Sequence, residues 1–380
     1  MRWGGCDSTL VIGLGNIDQM RIAIVMGAKG WRGSVTSFVK VAEGLERRGH
    51  EAHFLTAVGP VPERLRALGH QVVELGAKQT GPREVMALHR VLRDRRIDAI
   101  YADTPRDLRL SAYATRLRAC PVAYRYNVNA RPPRGHLGDK LFARAVGALV
   151  VLSHWVEERV ALQEPWLAAR PMVRIPNGFD TEVFRPDPAG GAAVRARLGL
   201  APEVQTVLCA SVFAPGKRQG FLIEALRRLR ARHPARVACL LAGGSEAHAT
   251  FRDEARASGV EIHWLGRPVP EELPAIYAAA DVVAQPSDIE SFGNVIGEAM
   301  ACGRAVVVPD AGAAAEVAGE GAVIAPAADA ERWASLIGEL LLAPERRAAL
   351  GVTARQRIEQ EFPVSRMQDA HIALFERLGQ

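Results

Sequence analysis

The stretch that decides the fold reads Asp281-Val282-Val283-Ala284-Gln285-Pro286-Ser287-Asp288-Ile289-Glu290-Ser291-Phe292-Gly293-Asn294-Val295-Ile296-Gly297-Glu298-Ala299-Met300-Ala301-Cys302-Gly303. It opens with a short apolar run of the kind a buried strand shows. A polar turn follows, and then small and apolar residues that read as a helix. Strand, turn and helix in this order build a parallel α/β sheet, which holds ligands beyond the carboxyl ends of its strands. Glu290 falls in the turn and Glu298 in the second turn of the helix. Backbone N–H groups at the helix opening, near Gly293 and Asn294, form a ready anion site. Carboxylates on either side of that anion accept hydrogen bonds from hydroxyls. A phosphate flanked by hydroxyls describes a nucleotide sugar.

The segment resembles the E-x7-E signature of retaining glycosyltransferases with the GT-B fold, most closely glycosyltransferase family 4. Two glutamates at this spacing are common by chance. The surrounding Pro286-Ser287-x-x-Glu290-x-Phe292-Gly293 and Glu298-Ala299-Met300-Ala301-x-Gly303 are not. The resemblance implies two Rossmann-like, doubly wound domains facing across a cleft. It implies Glu290 as the ligand of the donor sugar and Glu298 as the ligand of the ribose. Ser291, Phe292, Gly293, Asn294 and Val295 would complete this side of the donor site.

Outward from the motif, strand and helix patterns alternate along the chain, as a parallel doubly wound sheet requires. Met20–Met26 reads as a first buried strand, then Gly27, Gly30 and Gly33 lead into a helix through Val35, Phe38, Ala42 and Leu45. Strands are expected near Val72, at Asp98–Asp103, Pro121–Tyr126 and Ala148–Ser153, and a helix at Lys140–Val146. The stretch Ile175-Pro176-Asn177-Gly178-Phe179-Asp180 resembles the family's interdomain segment, with Gly178 suited to a left-handed turn. The Pro- and Gly-rich text from Pro186 to Gly191 extends that linker. The pattern then restarts at Thr206. Four segments result: an extension over 1–19, an acceptor-binding domain over 20–185, a nucleotide-sugar domain over 186–362, and a helix over 363–380 crossing back to the first domain. Val11-Ile12-Gly13-Leu14-Gly15 is half a dinucleotide fingerprint, but position 18 is Asp and no helix pattern follows.

Further site residues follow from the resemblance. After the Thr206 strand the family carries an Arg and, five residues on, a Lys, both on the donor diphosphate. Here the Arg position is Val212, Lys217 matches, and Arg218 stands where Gly is usual. Cations are needed there because charge grows on the diphosphate as the sugar–phosphate bond breaks. Lys217 is expected to take that role, with Arg218 as a partial substitute. Ser211, Gly266 and Arg267 would meet the nucleotide and Gly33 the phosphate across the cleft. Ala313 replaces a second glycine in a late loop, and Glu316 reads as a helix-start residue. Asn127 stands where many relatives have His and cannot act as a base, which leaves Asp103 as an alternative polar group. In front-face displacement the leaving phosphate accepts the acceptor proton, so neither is required.

The chain of 380 residues has a net charge of +6. The charge is uneven: residues 1–185 hold 28 Lys and Arg against 18 Asp and Glu, whereas the remainder holds 20 against 24. Within Arg83–Arg144 the count is 14 against 6. Two readings stand open, solvated helix faces or a surface that meets anionic lipid or a phosphorylated acceptor. No apolar run approaches the ~20 residues of a membrane span, and no signal-peptide pattern opens the chain. Five scattered cysteines fit a reducing cytosol rather than disulfides. Asp288 and Glu290 together could hold a divalent ion, but the resemblance implies helix dipoles and basic side chains in its place, hence no metal and no cofactor. The expectation is a cytoplasmic enzyme, peripheral on the inner face of a membrane. It would transfer sugar from a UDP- or GDP-linked donor to an envelope glycan or glycolipid of lipopolysaccharide type, with no nucleic-acid partner. The alternatives are another GT-B enzyme, such as an epimerase or phosphorylase, and a non-catalytic sugar-nucleotide binder.

Overall fold

The computed structural model describes residues 19–28, 30–76, 80–128, 142, 144–244 and 249–380. Two parallel sheets organise the chain. The first comprises β1 (Arg21–Met26), β2 (Glu51–Thr56), β3 (Gln71–Glu74), β4 (Ala99–Ala102), β5 (Val122–Arg125), β6 (Val146–Val151) and β7 (Met172–Arg174), in the order β3-β2-β1-β4-β5-β6-β7. The second comprises β8 (Gln205–Ala210), β9 (Val237–Ala242), β10 (Glu261–Trp264), β11 (Val282–Ala284), β12 (Ala305–Pro309) and β13 (Val323–Ala325), in the order β10-β9-β8-β11-β12-β13. Helices cover both faces, so strands such as β1 are buried along nearly their whole length and read as unbroken apolar runs. Strand order reverses between β1 and β4 and again between β8 and β11. Those two reversals open crevices at the carboxyl ends of the strands.

The chain crosses between the sheets twice, side by side. The Phe179 N–H donates to the Phe362 carbonyl at 2.8 Å, and the Val364 N–H donates to the Phe179 carbonyl at 3.0 Å. Beyond this bridge the helix Val364–Gly379 packs on the first-domain helix Gly33–Arg47. A neutral His371 ties it down, pairing with the Tyr101 hydroxyl at 2.8 Å and the Met367 carbonyl at 2.8 Å, its pKa pushed down to about 4 by burial.

Two expectations about the linker change. Gly178 does not adopt a positive φ. It is glycine because a Cβ would sit 2.5 Å from the Cα of Val364, where the crossings touch. The text after Pro186 is not extended linker either: Pro188–Arg197 is a helix, opened by Pro188 and capped by Asp187, which accepts the Gly190 N–H at 2.9 Å. Nearly all of the expected 1–19 extension lies outside the described residues, as do residues 140, 141 and 143 of the expected 140–146 helix, whose last residue, Val146, instead opens β6.

Candidate active site

A cavity of ≈ 1020 Å³ lies between the two sheets. Its second-domain wall is made by Ala210 and Ser211 at the end of β8, Ala242 and Gly243 at the end of β9, Arg267 after β10, and Asn294, Val295 and Glu298 from the helix Asn294–Ala301. Trp31, Arg32, Gly33, Thr36 and Lys40 face them from the first domain.

Gly293 opens the helix at φ 95°, a left-handed position, and the first N–H groups of the helix have no partner within it. Glu298 lies one turn further in. Its carboxylate accepts the Tyr277 hydroxyl at 2.8 Å, and burial raises its pKa above the ordinary carboxylate range, opposed by the Tyr277 bond and the Lys40 charge. The Tyr277 hydroxyl is pushed well up, first by burial and then by Glu298. Glu290 sits in the preceding turn with its carboxylate 2.6 Å from the Lys217 ammonium, both side chains mostly shielded. The Gly312 loop holds this turn from behind, with the Ala313 N–H donating to the Glu290 carbonyl at 2.9 Å. Ala313 has φ −84°, which any residue adopts, so the missing second glycine costs this loop nothing.

Other candidates separate. Ser211 lines the cavity and its hydroxyl accepts from Gln219 at 3.1 Å. Gly266, at φ 65°, offers its carbonyl to the N–H groups of Gly243 and Gly244 at 2.7 and 3.0 Å. Arg267 reaches toward the glycine loop: a Cβ on Gly30 would lie 3.8 Å from its guanidinium. Asn294 bridges the domains, accepting from Asn177 at 2.8 Å and donating to the Gly33 carbonyl at 3.3 Å. A Cβ on Gly33 would collide with it at 2.7 Å.

Three expected site residues are otherwise engaged. The Arg218 guanidinium pairs with Asp288 at 3.2 Å, donates to the Ala327 carbonyl and stacks 4.1 Å from the Phe221 ring. A cation so committed is not a spare charge for a diphosphate. The Phe292 ring is buried, 6.0 Å from Phe179 and 5.5 Å from Phe362, so it is core and not part of the cavity wall. Asp103 is buried against Arg125, which donates to one carboxylate oxygen at 2.9 and 2.7 Å and lies over Phe38. Asn127 follows β5, half-buried, and is not part of the cavity wall. Val212, in the usual Arg position, is 45% exposed and lines the cavity. The Asp288–Glu290 pair meets Arg218 and Lys217 respectively, a cation for each carboxylate. Among the described residues no group of three or more His, Cys, Asp or Glu gathers as a metal site.

Sequence reasoning missed Lys40, Tyr277 and Gly243. Gly243 has φ 133°, and a Cβ there would meet the Ser211 carbonyl at 2.1 Å, so the glycine lets two strand ends close on the cavity. The double glycine after a buried strand was the available signal. It also missed three contacts that hold the domains together. Glu316 accepts the His154 and Trp155 N–H groups at 2.9 and 3.2 Å, so it caps a first-domain helix rather than only starting its own. The Ser153 hydroxyl donates to the Ser291 carbonyl at 3.0 Å, and Arg64 pairs twice with Glu271 at 2.9 and 3.0 Å.

Residues 31–183 match the family model for glycosyltransferase family 4, and residues 192–357 match that for glycosyl transferases group 1. The chain belongs to glycosyltransferase family 4. It is similar to a GDP-mannose-dependent alpha-(1-6)-phosphatidylinositol monomannoside mannosyltransferase from Mycolicibacterium smegmatis, 38% identical over 48% of this chain and 50% of that protein. The Mycobacterium tuberculosis protein of the same name is 28% identical over 87% of this chain and 91% of its own length. The crystal structure of Anabaena HepE in complex with UDP and glucose superposes with a TM-score of 0.81 over 94% of this chain and 99% of that one, at 22% identity. The fold is GT-B and the protein is a glycosyltransferase.

Proposed function

We propose that this glycosyltransferase retains the anomeric configuration and transfers mannose from GDP-mannose to a phosphoinositol-containing glycolipid. The observation that carries the donor assignment is the placement of three groups around one helix opening. Glu298 lines the cavity and would take the ribose, the helix opening at Gly293 and Asn294 would supply N–H groups for the diphosphate, and the Lys217–Glu290 pair, in the turns after β8 and β11, would meet the sugar. In front-face displacement the anomeric carbon–phosphate bond breaks and the bond to the acceptor oxygen forms on the same face. The leaving phosphate oxygen takes the acceptor proton. Lys217 then offsets the charge that grows on the diphosphate, and Asp103 and Asn127 need supply no base. The carboxylate of Glu290 orients the sugar hydroxyls.

Mannose, guanosine and the inositol lipid come from the names of the similar proteins and take precedence over the lipopolysaccharide-type acceptor expected from sequence. A surface feature supports a lipid acceptor. Helices Pro82–Asp94 and Pro105–Ala114 pack together on the first sheet. They and the adjoining turn expose Met86 at 50%, Tyr113 at 39% and Leu117 at 56%, beside Arg83, Arg90 and Arg116. Apolar side chains among arginines suit the headgroup region of an anionic bilayer. Among the described residues no helix is long and apolar enough to cross a membrane.

Thermal shift against GDP, GDP-mannose, UDP and UDP-glucose, followed by mass spectrometry of products from a phosphatidylinositol mannoside acceptor, tests this reading. Stabilisation by GDP and GDP-mannose with one added hexose supports it. Stabilisation by UDP compounds alone overturns the donor, and no added hexose overturns the acceptor.

A further inference from the structure

Among the described residues five cationic side chains line the cavity, and three of them are committed to the protein itself. Lys40 donates to the Gly178 carbonyl at 2.9 Å, Arg47 donates to the Gln368 side chain, and Arg64 pairs with both oxygens of Glu271. The guanidinium groups of Arg32 and Arg267 have no hydrogen-bond or ion-pair partner among the described residues. Arg267 stands on the second-domain wall and is already expected to meet the nucleotide. Arg32 stands on the first-domain wall, exposed, immediately before the helix Gly33–Arg47. Its backbone is extended, at φ −138° and ψ 166°, and its side chain caps nothing.

An exposed arginine in water needs no partner, so its placement decides. The Asn294 side chain donates to the Gly33 carbonyl at 3.3 Å, which brings together the openings of Gly33–Arg47 and Asn294–Ala301, one helix from each domain. Neither helix has an acidic residue in its first turn. Each opening carries roughly half a positive charge, and like charges brought together repel. Arg32 adds a full charge beside them, and Arg267 reaches the same glycine loop, 3.8 Å from an ideal Cβ on Gly30. No carboxylate pairs with any of these four positive groups, an arrangement that favours a multiply charged anion. On the second-domain wall Val212 brings no charge and the Lys217 ammonium is shared with Glu290. We propose that Arg32 binds the donor's diphosphate from the first domain and supplies the cation that Val212 does not. The proposal rests on the donor site set out above, with the diphosphate at the opening of Asn294–Ala301. When the bond from the anomeric carbon to the phosphate oxygen breaks, its electron pair stays on that oxygen, which then takes the acceptor proton. Negative charge on the diphosphate grows in that step, so a guanidinium beside it favours the transition state over the bound donor.

The test is calorimetric titration of GDP into the full-length protein and its Arg32→Gln, Arg32→Lys and Glu298→Ala variants, with guanosine affinity measured by competition and steady-state kinetics alongside. Guanosine carries no phosphate and reports the rest of the site. Arg32→Gln should bind GDP roughly ten-fold more weakly, with guanosine affinity and melting temperature unchanged, because the side chain holds nothing in the protein. The kcat/KM for the donor should fall at least as far, the acceptor KM should stay, and Arg32→Lys should recover part of the loss. Equal losses of GDP and guanosine affinity in Arg32→Gln assign Arg32 a structural role and overturn the proposal. A raised acceptor KM with unchanged GDP affinity gives Arg32 to a phosphate of the acceptor and overturns it as well. Unchanged GDP affinity and kinetics in Arg32→Gln, with Glu298→Ala impaired, overturn it while leaving the donor site intact. Equal GDP affinity in wild type and Glu298→Ala, or no binding of GDP to the wild type, instead removes the donor-site reading itself.

Discussion

The Lys217 ammonium lies 2.6 Å from a Glu290 carboxylate oxygen, joining the turn after β8 to the turn after β11 across the switch point of the second sheet. In the proposed reaction the pair would set a cation for the leaving diphosphate beside an acceptor for the sugar's hydroxyls. Lys217→Ala should lower turnover roughly a hundred-fold, because its charge matters most in the transition state. Glu290→Ala should also lower turnover while sparing affinity for the free nucleoside diphosphate. As the two touch, the double variant should lose less than the product of the single losses. Single-turnover kinetics on the three variants would check this, and fully multiplicative losses would show that the two act apart.

Arg218 takes a left-handed backbone conformation, φ 52° and ψ 38°, at a cost of roughly 1–2 kcal/mol for a residue with a Cβ. Its contacts with Asp288, Ala327 and Phe221 offset that cost. Arg218→Ala should keep the strain, lose the contacts and melt at a lower temperature, with turnover reduced far less than in Lys217→Ala. Arg218→Gly should recover much of the melting temperature by relieving the strain. Scanning calorimetry with an activity assay distinguishes this from a diphosphate role, in which both variants would lose turnover alike.

The two chain crossings leave no room for a side chain. Gly178→Ala would press a methyl group onto the backbone at Val364, and Gly297→Ala would press one onto the Phe179 ring, 2.0 Å from an ideal Cβ. Each should destabilise by about 1–3 kcal/mol. Gly178→Ala should also disturb the seating of the C-terminal helix on the first domain, read as faster hydrogen exchange in residues 364–379. A change confined to the linker would contradict that coupling.

Glu316 reaches across to cap the helix His154–Gln163. Its loss should cost about 0.5–2 kcal/mol, the range for a capping side chain, and favour parted domains. Glu316→Ala should then raise the radius of gyration in small-angle scattering, and excess GDP should reverse the change. An unchanged radius with a lowered melting temperature would make the contact purely stabilising.

How far the sequence could be read is clear from particular residues. The second sheet was legible because the turn from Asp288 to Gly293 carries polar groups and glycine that chemistry needs there. Glu290 and Lys217, seventy-three positions apart, were each assigned to the donor only through the resemblance, and nothing in the sequence showed that they touch. The contacts that engage Arg218 were not legible, because a positive charge beside an expected phosphate looks available until Asp288 and Phe221 are seen to hold it. Nor does any pattern announce that Arg125 donates to Asp103. Gly178 was rightly singled out for the wrong reason: close approach, like a left-handed turn, excludes a Cβ, and the two read alike in one dimension. Lys40 gave no signal. A lysine on an amphipathic helix reads as solvated, and only the arrival of the linker and second domain encloses it.

The exposed basic and apolar face of the first domain should bind vesicles containing anionic lipid and ignore neutral ones. Each Lys or Arg near such a surface contributes about 1 kcal/mol, screened beyond ~10 Å at 0.1 M salt. Replacing Arg83, Arg90 and Arg116 by Gln should abolish sedimentation with anionic vesicles, and Met86→Ser with Leu117→Ser should weaken it. Equal, negligible binding to both vesicle types would return this face to ordinary solvated helices.

The central claim is that Glu298 holds the ribose of the donor at the opening of the helix Asn294–Ala301. Calorimetric titration of GDP into wild type and Glu298→Ala measures it most directly. Loss of a hydrogen-bonded carboxylate, about 1.5–3 kcal/mol, should weaken binding roughly ten- to a hundred-fold with the fold intact. Equal affinity in both proteins would contradict the donor-site assignment.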